Sequence, residues 1–66
     1  MVRYFKYEDE DGVIVINPAF VAHIESSSRS NECIVIMNDG RRYLIFGKRV
    51  LDLAEELEML ANYGGI

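Results

Sequence analysis

The chain has 66 residues, a net charge of −4 and a composition that is half apolar, with one cysteine and one histidine. A chain of this length forms a single small domain, and its apolar content is typical of a folded protein. One cysteine excludes an intrachain disulfide, and one cysteine with one histidine excludes an ordinary structural zinc site. We therefore expect one domain over residues 1–66, no cofactor, and marginal stability for an isolated copy.

The charge and hydropathy patterns bear on partners and location. The acidic balance disfavours a general nucleic-acid binder. No apolar run approaches the roughly 18 residues of a membrane span, and the N-terminus lacks the apolar core of a signal peptide. We therefore expect a protein without a membrane span in a reducing, cytoplasmic setting.

The first half of the chain predicts three strands. Val2 to Tyr7 is rich in β-formers, Glu8 to Gly12 is an acidic turn, and Val13 to Ile16 is apolar on both faces. Asn17-Pro18 ends the second strand, because proline lacks the N–H that a sheet ladder needs. The third strand, Phe20 to Glu25, alternates with period two, which predicts one face that holds Phe20, Ala22 and Ile24.

The second half predicts two more strands, Cys33 to Met37 and Arg42 to Phe46, joined by Asn38-Asp39-Gly40. Two turn geometries are open. A type I′ turn would pair Met37 with Arg42, whereas a type I turn with a G1 bulge would pair Met37 with Arg41.

A C-terminal helix follows Gly47. From Val50 the apolar period changes to 3.6, and Gly64-Gly65 is a typical helix stop. The residues of the apolar stripe are Val50, Leu53, Ala54, Leu57, Leu60 and Ala61.

These elements predict an α+β fold, a curved antiparallel sheet of about five short strands with one C-terminal helix. The helix covers one sheet face, and the other face keeps its aliphatic side chains, whose burial is worth about 1.5–3 kcal/mol each. We expect a homo-oligomer that covers this face, and strong curvature of the sheet is the open alternative. The expected interface residues are Val13, Val15, Ile34, Ile36, Leu51 and Met59.

The polar residues offer one candidate binding cluster and no catalytic signature. Arg41, Arg42, Lys48 and Arg49 would suit an anionic ligand, nucleic-acid phosphates or an acidic partner. Solubility and ion pairs with the chain's own acidic residues are the competing explanation. No nucleophile signature accompanies His23, and Cys33 lies in an apolar strand, so we expect a surface or interface histidine, a buried thiol and no enzyme.

The order of several short motifs resembles the FlbD/SwrD-like small flagellar proteins. The matching residues are Ile16-Asn17-Pro18, Ile24-Glu25, Ile34-Val35-Ile36, Asp39-Gly40-Arg41-Arg42-Tyr43 and the helix from Lys48. The resemblance covers most of the chain and implies a bacterial flagellar-motility role without catalysis. The acidic turn is longer here than the compact turn of that family, and Gly47-Lys48-Arg49 replaces its Glu-Ser helix entry.

The sequence thus predicts a non-enzymatic bacterial protein-interaction module that forms homo-oligomers, has an unidentified protein partner, and acts in flagellar assembly or motility. The alternative is a small phage or mobile-element protein that binds an anionic partner or nucleic acid through the four basic residues.

Overall fold

The computed structural model describes residues 3–29 and 31–63. Its elements are β1 (Phe5–Asp9), β2 (Gly12–Ile16), β3 (Val21–Ser26), β4 (Glu32–Met37), β5 (Arg42–Phe46) and α1 (Val50–Tyr63). The predicted α+β fold of five antiparallel strands and one C-terminal helix is confirmed. In place of one sheet there are two, a two-stranded sheet β1-β2 and a three-stranded sheet in the order β3-β4-β5.

The first hairpin closes with a tight turn. Asp9 pairs with Gly12, which leaves Glu10 and Asp11 as the turn, and the Asp9 carboxylate accepts a hydrogen bond from the Asp11 N–H at 2.8 Å. The strands therefore extend further into the acidic segment than predicted. β1 begins at Phe5, and the predicted strand start at Val2 lies outside the described residues.

A short 3₁₀ helix, Pro18–Phe20, connects the two sheets. The Asn17 side chain caps it by accepting a hydrogen bond from the Ala19 N–H at 3.0 Å. The carbonyl of Phe20 accepts a hydrogen bond from the Asn38 N–H at 2.8 Å. This connector is therefore tied to the turn between β4 and β5.

β3 contains a bulge between Val21 and His23, where Ala22 is the extra residue. The bulge shifts the alternation, so that Val21 packs with Ile24 against the core. Phe20 lies in the 3₁₀ helix and is exposed. The predicted face of Phe20, Ala22 and Ile24 is therefore wrong, because period-two alternation cannot anticipate an inserted residue.

The second hairpin adopts the type I turn with a G1 bulge. The Gly40 N–H donates to the Met37 carbonyl at 2.9 Å, and the Met37 N–H donates to the Arg41 carbonyl at 2.8 Å. Gly40 has a φ of +89°, which glycine adopts without steric cost. The second of the two predicted geometries is confirmed.

The core lies between the inner faces of the strands and the apolar stripe of α1. Leu53 and Leu57 are buried, and Val50 and Leu60 pack at the margin of the same cluster, as the helical period predicts. The predicted helix stop at Gly64-Gly65 lies outside the described residues. The buried apolar residues are Phe5, Ile16, Cys33, Val35, Ile45, Leu53 and Leu57.

Leu53 and Leu51 on α1 provide a matched test of this core. Leu53 is fully buried, whereas Leu51 is 76% exposed. We expect Leu53→Ala to lower the free energy of unfolding by about 2–5 kcal/mol, because it leaves a cavity, and Leu51→Ala to change it by less than about 0.5 kcal/mol. Urea unfolding at low protein concentration measures both. Equal losses in the two variants would contradict this packing.

Candidate functional site

The outer face of the three-stranded sheet carries an apolar centre between polar flanks. Residues directly opposite in an antiparallel pair share a face. Ile36 therefore lies between His23 and Arg42, and Ile34 lies in the next row between β3 and β5. Cys33 and Val35 of the same strand point inward and are fully buried, so that β4 is apolar on both faces.

An ion pair crosses β4 above this apolar centre. The Arg42 guanidinium on β5 lies 3.3 Å from the Glu25 carboxylate on β3, and the other Glu25 oxygen lies 3.8 Å from His23 Nε2. The long Arg42 side chain covers part of the strand below it. Ile34 and Ile36, two of the predicted interface residues, are accordingly half-buried and not fully exposed.

Leu44 and Phe46 extend the same face and were not among the predicted interface residues. They lie on β5, opposite Ile34 and Glu32, and both are exposed. The alternation of Arg42 to Phe46 in the sequence contains this signal, since every second residue of an edge strand faces outward.

β2 adds two further aliphatic side chains to the exposed surface. Val13 is 62% exposed and Val15 is 53% exposed. Val13 lines one groove together with Leu44 and Phe46. We call this set the outer strand surface; its members are Val13, Val15, Ile34, Ile36, Leu44 and Phe46.

The flank of α1 is a separate exposed apolar site. Leu51 and Met59 lie off the buried stripe and are 76% and 68% exposed. The predicted interface residues on β2 and on α1 therefore have the exposure that an interface needs, and their role in association stays a prediction.

The four predicted basic residues do not form one patch. Arg41 and Arg42 lie at the start of β5, and Lys48 and Arg49 follow its end, so that about 13 Å of strand separates the two pairs. Each side chain has an acidic partner within the chain. The pairs are Arg41–Asp39 at 3.3 Å, Arg42–Glu25 at 3.3 Å, Lys48–Glu56 at 2.7 Å and Arg49–Asp52 at 3.3 Å.

These ion pairs match the competing explanation for the basic cluster, and anion binding stays a prediction. At the start of β5, the side chain of Arg41 is more exposed than that of Arg42, 73% against 64%. A hydrogen bond with Tyr43, followed by the charge of Asp39, raises the pKa of the Arg41 guanidinium above the ordinary value.

The turn of the first hairpin carries the opposite charge. Glu8, Asp9, Glu10 and Asp11 form a run that we call the acidic tip. Within residues 3–29 and 31–63, no ion pair joins a carboxylate of the acidic tip to a basic side chain. Asp9 and Asp11 line the same groove as Val13 and Leu44.

Cys33 has the surroundings of a structural residue, as predicted. It is fully buried, and its thiol donates a hydrogen bond to the Lys48 carbonyl at 2.9 Å. Burial, and then the charges of Asp52 and Glu32, raise the pKa of the thiol above its ordinary value of 9.0. Glu32 is itself buried and accepts a hydrogen bond from the Ser27 hydroxyl.

Comparison with known proteins leaves the resemblance to FlbD/SwrD-like proteins a prediction. No protein-family model, no curated protein and no solved structure matches the chain.

Within residues 3–29 and 31–63, no helix combines the length and the hydropathy that crossing a bilayer needs. Over the same residues, no group of three or more His, Cys, Asp and Glu side chains converges as a metal site would.

The Cys33 thiol should be inert in the folded protein. Because alkylation needs an exposed thiolate, we expect iodoacetamide to react roughly a hundredfold or more slowly in buffer than in urea. The raised pKa also stabilises the fold below pH 9, and this contribution is lost as the pH rises through the folded-state value. Mass spectrometry of the alkylated protein measures the reaction, and free glutathione is the control. Equal rates in the two solvents would contradict the buried position.

Proposed function

We propose that this chain is a non-catalytic protein-interaction module that associates with further copies of itself. The observation that carries the proposal is the exposed outer strand surface, above all Val13 and Val15 on β2 and Leu44 and Phe46 on β5. Covering an aliphatic side chain stabilises a protein by about 1.5–3 kcal/mol, a large share of the stability of a small domain.

The ionisable side chains support a role without catalysis. His23 and Glu25 approach each other on an exposed sheet face, and no nucleophile accompanies them in the contacts of the described residues. The thiol of Cys33 faces the core and is bonded to a backbone carbonyl. A catalytic base needs a reacting partner within hydrogen-bond reach in a sheltered site.

The cytoplasmic setting and the flagellar role are parts of the same proposal. A single cysteine held as a free thiol suits a reducing compartment. Flagellar assembly or motility is assigned from the resemblance of Ile16-Asn17-Pro18 and Asp39-Gly40-Arg41-Arg42-Tyr43 to FlbD/SwrD-like proteins.

Molar mass in solution tests self-association directly. We expect size-exclusion chromatography with light scattering to give a mass that rises from one chain towards a multiple of it as the concentration increases through the micromolar range. The double variant Val13→Thr/Val15→Thr keeps the shape of both side chains but makes them polar, and we expect it to shift the transition to higher concentration. A mass of one chain throughout this range would contradict the proposal.

Deletion of the gene tests the flagellar role. We expect the deletion strain to form smaller swimming zones in soft agar at an unchanged growth rate, and the wild-type gene to restore them. Restoration should fail with Val13→Thr/Val15→Thr if association carries the role. Normal swimming of the deletion strain would contradict the flagellar assignment and leave self-association untouched.

A further inference from the structure

We propose that the outer face of α1 docks a basic amphipathic helix of another protein. This surface, which we call the acidic helix face, consists of Leu51, Glu55, Glu58 and Met59. The inference goes beyond the proposed self-association. It assigns a different surface to a different partner and leaves the outer strand surface for contacts between copies.

Two large apolar side chains anchor the acidic helix face. Leu51 is 76% exposed and Met59 is 68% exposed, the largest exposed fractions among the large apolar residues that the structure describes. They lie about 12 Å apart along the helix axis, on the side that faces away from the buried Leu53 and Leu57. The packing of the domain therefore leaves both anchors in water.

The charge of this face is negative and has no compensation within the chain. Over Val50–Tyr63 the helix has no basic residue and four acidic ones, Asp52, Glu55, Glu56 and Glu58. Two of them pair with Lys48 and Arg49, which precede the helix. Within residues 3–29 and 31–63, no ion pair joins either of the other two, Glu55 and Glu58, to a basic side chain.

Glu55 and Glu58 are also neighbours on the helix surface. Side chains three positions apart lie close together, and two like charges in this relation destabilise a helix slightly. No basic residue follows in the last turn to offset them. A cation supplied by a partner relieves this repulsion, which makes the face more favourable when it is occupied.

The acidic and apolar residues lie side by side. Glu55 is four positions from both Leu51 and Met59, so it lies between them on the helix surface. A lysine or arginine of the partner can lay its methylene groups on these apolar side chains while its charged end reaches Glu55. Contact with the apolar anchors excludes water from the ion pair, which strengthens the attraction.

Charge complementarity selects the class of occupant. A second copy would bring its own Glu55 and Glu58 against this face in a two-fold contact. Four of the seven basic residues of the chain already pair with its acidic residues, and the net charge is −4. Nucleic acids and anionic lipid headgroups carry the same sign of charge as the face. A cationic segment of another protein matches both the charge and the apolar anchors.

The spacing of the face favours a helical segment. Residues four positions apart, such as Leu51, Glu55 and Met59, form the ridges against which a second helix packs. At the N-terminal end of α1, Leu51 lines a groove with Arg29 and Arg49, so basic side chains bound the face there. We therefore expect the lysines or arginines of the partner to lie over Glu55 and Glu58, beyond this groove.

Two matched charge reversals test the site. Glu55→Lys/Glu58→Lys reverses the acidic helix face, and Glu8→Lys/Glu10→Lys makes the same change in net charge on the acidic tip. The probe is a synthetic peptide whose leucines and lysines lie on one face of a helix. We expect the first variant to bind it at least about tenfold more weakly than wild-type protein, and the second to stay within about twofold. Isothermal titration calorimetry measures the affinities, and circular dichroism confirms that each variant folds.

The apolar contribution has its own comparison. We expect oligolysine of equal charge, which lacks the leucines, to bind at least about tenfold more weakly than the probe. Leu51→Ser/Met59→Ser should weaken the probe about fivefold or more, because it removes both anchors. The backbone amide signals that shift in the nuclear magnetic resonance spectrum should cluster between Leu51 and Met59.

Several outcomes would overturn the inference. These are no binding of the probe, equal losses in the two charge-reversed variants, equal affinity for oligolysine, and signal shifts on the outer strand surface instead of α1. The molar mass of Glu55→Lys/Glu58→Lys should match that of wild-type protein at every concentration. A changed mass would assign α1 to the contact between copies and overturn the inference as well. A wild-type mass of one chain throughout contradicts the proposed function alone.

Discussion

The packing of α1 against the inner faces of the strands is the constraint on which the rest of the molecule depends. Cys33 and Val35 on β4, Ile45 on β5, and Leu53 and Leu57 on α1 are buried in one cluster. A single helix presents one apolar stripe and therefore covers one face. Because β4 is apolar on both faces, the side that α1 leaves open must hold aliphatic residues against solvent, side chains or another molecule.

The face that α1 leaves open carries an ion pair as well as hydrophobic side chains. The Arg42–Glu25 ion pair crosses β4 and covers part of its aliphatic side chains, with His23 beside it. An exposed ion pair contributes little stability by itself, and its methylene groups still cover apolar atoms. On β5, Leu44 lies beside Val13 of the first hairpin and stays exposed. The exposed surface is therefore concentrated along β5 and the neighbouring Val13, and less along β4.

The sequence predicts most of the local structure, because the decisive signals are local. Asp39-Gly40 predicts the second hairpin, and the 3.6 period from Val50 predicts which helix face is buried. The division into two sheets and the bulge at Ala22 depend on tertiary contacts, such as the bond from Asn38 to Phe20, which no sequence pattern encodes. The positions of the four basic residues likewise depend on the tertiary structure. Residues close in sequence end at opposite ends of a strand, and their acidic partners come from β3, the turn and α1.

The bond between Tyr7 and Phe46 has a consequence for the order in which the chain closes. Every strand pair joins neighbours along the chain, so each hairpin forms with a short loop and a small entropic cost. The Tyr7 hydroxyl spans 39 positions and ties the first hairpin to the far edge of the other sheet. Phe5 and Ile16 of that hairpin are buried in the common core, so the bond fixes the alignment of two sheets that apolar packing already holds together.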